Sequence, residues 1–147
     1  MPGGPSEPEA GETTTFPGEL RVVITVPEHD TAVAFYRDVL GLRELGAFTD
    51  DNGGQATLLD AGRATVEIGD ELHVDAIDAL EVGRRVAGQI RLAFAVQDAT
   101  DATDRLLAGG GKLIAAATTT PWGSQNPRLE PPDRLQFTVF SDEVTEA

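Results

Sequence analysis

A chain of 147 residues is long enough for one domain, and a domain of that size removes roughly 70% of its unfolded surface from water. With 25 acidic against 11 basic residues and a formal charge of −14, it lacks the Lys and Arg excess that would neutralise a phosphate backbone, so nucleic acid is excluded as a partner. Zero cysteines exclude disulfides, iron–sulfur clusters and thiol chemistry, and no apolar run reaches the length of about 18 residues that a membrane span needs.

Residues 1–18 are rich in Pro, Gly, Glu and Thr without periodicity, and they are predicted to form a flexible tail. The start lacks the basic and apolar stretches of a secretory signal, so a cytoplasmic protein is expected. In the next segment Leu20, Val22, Ile24 and Val26 alternate with Arg21, Val23 and Thr25, the period of a strand. Ala32, Phe35, Tyr36, Val39 and Leu40 then recur at helical spacing, which assigns Phe35 and Tyr36 to the core, and Gly41 supplies the left-handed stop. Three short apolar runs follow at 42–49, 55–60 and 64–69, separated by Asp- and Gly-rich turns. Residues 70–89 read as a connector with a helical turn around 76–80.

Shifting the chain by 70 positions superimposes Leu20 to Val26 on Ile90 to Val96, Ala32 on Ala102, Tyr36 on Leu106 and Gly41 on Gly111. The second copy again opens with a strand, continues with a helix started by Asp98 and Asp101, and offers runs at 112–118, 126–130 and 134–141. Residues 142–147 should fray. The predicted fold is therefore α+β. One domain at 19–141 is built from tandem βαβββ modules (19–69 and 90–141) forming a cupped mixed sheet, with helices on its outer face.

The wording of the modules agrees with that pattern. Val33-Ala34-Phe35-Tyr36-Arg37-Asp38-Val39-Leu40-Gly41-Leu42 resembles the first-helix signature of the vicinal oxygen chelate superfamily, the glyoxalase, bleomycin-resistance and extradiol dioxygenase relatives. Trp122-Gly123 with Asn126-Pro127-Arg128-Leu129-Glu130 resembles its final hairpin, and Leu135 to Phe140 its last strand. The resemblance covers about residues 19–141. It implies a cavity inside the cup. In enzymatic members that cavity holds a divalent metal, through His or Gln on the first strand of each module and Glu on the fourth, as a Lewis acid for vicinal oxygens.

Transferred position by position, those ligands fall on Arg21, Glu67, Arg91 and Thr138, with Phe137 the alternative to Thr138 if the register slips. A guanidinium offers only donors and repels a dication, so no metal and no cofactor are expected. The two histidines, His29 and His73, lie outside the motif positions and read as surface residues. No nucleophile elbow, phosphate loop or dinucleotide fingerprint occurs, and Gly109-Gly110-Gly111 ends a helix rather than opening one. In the cup, Glu67 would bridge Arg21 and Arg91 to neutralise buried charge, or leave a guanidinium free for a carboxylate, enolate or phenolate. Trp122 would add an aromatic wall.

Three functions follow from this reading. The first is a metal-free small-molecule-binding protein, sequestering an antibiotic or metabolite on Arg21, Glu67, Arg91, Trp122 and Thr138. The second is a lyase, isomerase or dioxygenase, with Glu67 as acid–base group and the arginines as oxyanion donors. The third is a partner-binding module with no occupied cavity, which a filled cup would favour. The resemblance also implies a homodimer.

Overall fold

Strands β1 (Glu19–Val26) and β5 (Ile90–Ala95), which open the two modules, lie side by side and antiparallel with Val22 opposite Leu92. Those two residues are equivalents under the 70-residue shift, so each sits against its own copy and a pseudo-twofold axis passes between them. The structure is a computed structural model and describes residues 18–121 and 123–142. The predicted tails fall outside it except for Gly18, whose amide donates to the Ala95 carbonyl at 2.8 Å, and Asp142.

Around the axis each module repeats one arrangement. In the first, β1 is followed by α1 (His29–Val33), which continues as a π-helical turn (Ala34–Val39), and by β2 (Arg43–Thr49), β3 (Gln55–Asp60) and β4 (Ala64–Asp70). In the second, after α2 (Glu71–Glu81), β5 leads to α3 (Ala99–Ala108), β6 (Lys112–Ala115), β7 (Ser124–Gln125), β8 (Arg128–Glu130) and β9 (Phe137–Asp142). First strands pair parallel with last strands, and the sheet runs β2-β3-β4-β1-β5-β9-β8-β6, with β7 beside β9. β7 and β8 are one strand in register: Gln125 faces Ser141 and Arg128 faces Thr138. The gap falls at Asn126 and Pro127, and a proline has no amide to donate to the ladder. The predicted run at 126–130 is strand only from Arg128, beyond its own proline, and β7 precedes it.

The outer face carries the apolar core. Val33 of α1 packs on Leu59 and Ile68, while Ala99 and Ala102 of α3 pack on Leu129 and Val139. Leu59, Ile68 and Leu129 are wholly buried, each contributing roughly 1.5–3 kcal/mol. Helix α3 is capped by the Asp98 carboxylate, which accepts from the Asp101 amide at 3.0 Å.

Two expectations need correction here. Phe35 is 57% exposed rather than core, and Val39 and Leu40 are exposed with it. The helix changes to i to i−5 bonding, with the Leu40 amide donating to the Phe35 carbonyl at 2.9 Å, and this underwinding turns those side chains off the sheet while Tyr36 stays packed. The connector also holds more than a helical turn. α2 spans 11 residues, is capped by Asp70, and lies across the inner face of the sheet opposite α1 and α3.

Candidate functional site

Strand alternation puts Arg21, Val23 and Thr25 of β1, Glu67 of β4, Arg91 of β5, Arg128 of β8 and Thr138 of β9 on the face away from α1 and α3. Phe137 packs with the outer core, which fixes Thr138 as the inward residue. Four of the five predicted site residues therefore share one concave face. Trp122, the fifth, lies outside the described residues.

Their contacts differ from a single bridged cluster. Glu67 Oε1 lies 3.5 Å from Arg21 Nη1 and within pairing distance of no other arginine. Arg21 is further held by Glu19, with Nη2 3.1 Å from Oε2, and its guanidinium carbon sits 5.3 Å from the Phe140 ring centroid. Glu19 in turn accepts from the Thr65 hydroxyl at 2.6 Å. Glu19 carries no motif signal, and only its period-two relation to Arg21 on β1 could have pointed to it.

Arg91 is only 9% exposed and donates from Nη1 to the Thr138 hydroxyl at 2.7 Å, while its Nε has no hydrogen-bond partner. Among the described residues no carboxylate lies within 4.0 Å of it. Burial first, and then the neighbouring charge of Arg128, pull its pKa below the ordinary arginine value against the opposing pull of Glu81, Glu67 and Asp78.

Arg128 is the residue that sequence reasoning passed over. It is completely buried, donating from Nη1 to Asp78 at 2.9 Å and from Nη2 to Glu81 at 2.8 Å, both on α2. Asp78 also accepts from the amides of Val86 and Ala87, at 2.8 and 2.6 Å. Burial alone would raise the Asp78 pKa, but those amides and Arg128 outweigh it and hold the carboxyl below its usual value. Asp78 and Glu81 stand three apart on one helix, which puts both on one face and was the available signal.

The histidines are not surface residues either. His29 Nε2 is 2.8 Å from the Thr57 hydroxyl, tying the start of α1 to β3. His73 lies at the start of α2 beside Asp50, with Nδ1 3.4 Å from Oδ2, because α2 brings it down onto the β2–β3 turn. Between α2 and the sheet a cavity of ≈ 10 Å³ remains, lined chiefly by Val23, Glu67, His73, Ile77, Asp78 and Arg91, space for about one water.

The family model described as Glyoxalase/Bleomycin resistance protein/Dioxygenase superfamily matches residues 20–139. The chain belongs to this superfamily. Among solved superfamily folds, methylmalonyl-CoA epimerase from Mycobacterium tuberculosis is 21% identical with a TM-score of 0.64, the alignment covering 91% of this chain and 95% of that one. A glyoxalase/bleomycin resistance protein/dioxygenase superfamily member from Vibrio splendidus 12B01 is 14% identical with a TM-score of 0.57, over 84% and 98% of the two chains. A Streptomyces coelicolor methylmalonyl-CoA epimerase in complex with 2-nitronate-propionyl-CoA is 16% identical with a TM-score of 0.62, over 89% and 100%. At these identities the likeness establishes the superfamily's α+β fold. No curated protein gave a significant match. No helix among the described residues is long and apolar enough to cross a membrane.

The donor set does not fit the divalent metal that superfamily enzymes carry. Two of the four positions present guanidiniums and one a hydroxyl, leaving Glu67 as the only anionic donor. Among the described residues no three His, Cys, Asp or Glu side chains come together.

Proposed function

We propose that this chain is a metal-free small-molecule-binding protein of the glyoxalase and bleomycin-resistance type, whose cup takes an anionic group of its ligand on Arg91. Arg91 itself carries the reading: among the described residues it is a buried guanidinium whose only hydrogen bond is to a neutral hydroxyl and whose Nε has no partner. A carboxylate, enolate or phenolate would satisfy both its charge and its donor. Arg21 pairs with Glu67, Thr138 orients Arg91, and Trp122 is assigned to the ligand wall by resemblance alone. Sequestration of an antibiotic or metabolite needs no bond to be made. The same reading carries a homodimer and residence in the reducing cytoplasm, with which a cysteine-free chain is compatible.

A thermal-shift screen of small carboxylates and phenolates, including succinate, tests it. Stabilisation of the wild-type chain that Arg91→Met abolishes is the expected result, together with less than stoichiometric Zn, Ni, Mn and Fe in the purified protein. Stoichiometric metal, or ligands indifferent to Arg91→Met, would overturn it. If nothing binds, the filled cup favours a partner-binding module instead.

The structural likeness to two epimerases supports an isomerase as the second reading. Glu67 would then move a proton beside a carbonyl while Arg91 stabilises the enolate oxygen. Exchange of solvent deuterium into a bound ligand, abolished by Glu67→Gln, separates catalysis from sequestration.

A further inference from the structure

The contact that closes the cup has an apolar part, with Val74 and Ile77 facing Val23, and an ionic part. Toward the sheet α2 buries Val74, Asp78 and Glu81, while Leu72 and Leu80 face outward and are exposed. Two separate carboxylates each take one terminal nitrogen of Arg128, the way a guanidinium receives the two ends of a small dicarboxylate. The Nε atoms of both Arg91 and Arg128 remain unpaired beneath the helix, so α2 satisfies this cationic face incompletely.

The connector is also bound to itself. Arg85 Nη1 donates to Glu71 and to Asp75, each at 2.7 Å, and Asp78 gathers the amides of Val86 and Ala87. These contacts hold helix and return segment together without using a single sheet residue. The remaining side-chain hydrogen bonds from the sheet are few and polar: Arg128 to Asp78 and Glu81, Asn126 to Glu81 at 3.0 Å, Gln136 to the Val86 carbonyl at 2.8 Å and Thr25 to the Gly88 carbonyl at 3.1 Å. Water or a ligand's oxygens can replace each of them.

We propose that α2 is a built-in competitor for an anion site. The connector lifts from the cup as one body, and a small dicarboxylate then takes the places of the Asp78 and Glu81 carboxylates on Arg128, with Arg91 as its second cation. This rests on the reading that the cup binds an anion on Arg91, and it adds the ligand class and the gate. The apparent affinity of the cup is lowered by the fraction of time α2 occupies it.

Hydrogen exchange and calorimetry on the full chain with succinate test the proposal. About 10 mM succinate should accelerate amide exchange across 71–87 while leaving α1 and α3 unchanged, a result that needs no variant. The variant Asp78→Asn with Glu81→Gln should bind succinate about tenfold more tightly. Succinate binding that depends on Arg91 but leaves α2 exchange and the variant's affinity unchanged would overturn this proposal and leave the proposed function standing. No binding of succinate to either protein would overturn this inference, while the screen of carboxylates and phenolates decides the proposed function.

Discussion

Three arginines on one concave face meet three different fates, and the difference is a matter of single partners. Arg21 has Glu19, Glu67 and the Phe140 ring, and Arg128 has two carboxylates, but Arg91 has one hydroxyl. That hydroxyl belongs to Thr138, itself buried. Thr138→Val keeps the shape of the side chain and removes the acceptor. It should cost about 1–3 kcal/mol, read as a lowered urea midpoint with unchanged slope. Unchanged stability would mean that Arg91 does not rely on this bond. The inward residues Arg21, Glu67, Arg91 and Thr138 are reached by transferring the family's ligand positions, and period-two alternation agrees with their shared face. Their partners are not reached that way. Pairing of Arg128 with residues 47 and 50 positions away depends on where a connector helix lands, which no local pattern encodes.

At the scale of elements, α2 runs well beyond the turn expected at 76–80 for the same reason. Glu71, Asp75, Asp78 and Glu81 give the segment an acidic, solvated look, yet two of those carboxylates are buried because a partner awaits them. The strands were read more faithfully: β3 matches residue for residue and β4 to within one, since alternation and flanking glycine turns are local signals. The position of α2 depends on the β2–β3 turn beneath it. There Gly54 permits a close approach, since a Cβ would stand 2.5 Å from both the His73 amide nitrogen and Asp50 Oδ2. Gly54→Ala should destabilise the chain by about 1–3 kcal/mol and raise amide exchange at the start of α2, because a backbone atom, not a flexible side-chain tip, must give way. Gly88→Ala meets open space and serves as the control. Equal effects from the two would show that the turn does not position the helix.

For the whole molecule, two electrostatic effects run in opposite directions as pH falls. Protonating carboxylates relieves the self-repulsion of a chain with a formal charge of −14, which favours folding. The Asp78 carboxyl acts the other way. Its pKa is lower in the folded chain than the reference value of 3.8, so it adds stability above that pH and loses it as pH falls through the folded value. Asp38 and Asp60 shift in the same direction but are exposed to solvent, where screening leaves little of the effect. Salt separates the two. At about 1 M the Debye length is near 3 Å, which suppresses long-range repulsion and leaves the buried Arg128–Asp78 pair almost untouched. Denaturant titrations at that ionic strength should show stability level from about pH 7 to about pH 5, then falling steeply below pH 3.8. Asp78→Asn should start lower at neutral pH and flatten the acid limb, since its amide cannot lose the charge that the aspartate loses. An acid limb equally steep in the variant would mean that the contact between connector and sheet does not govern acid stability.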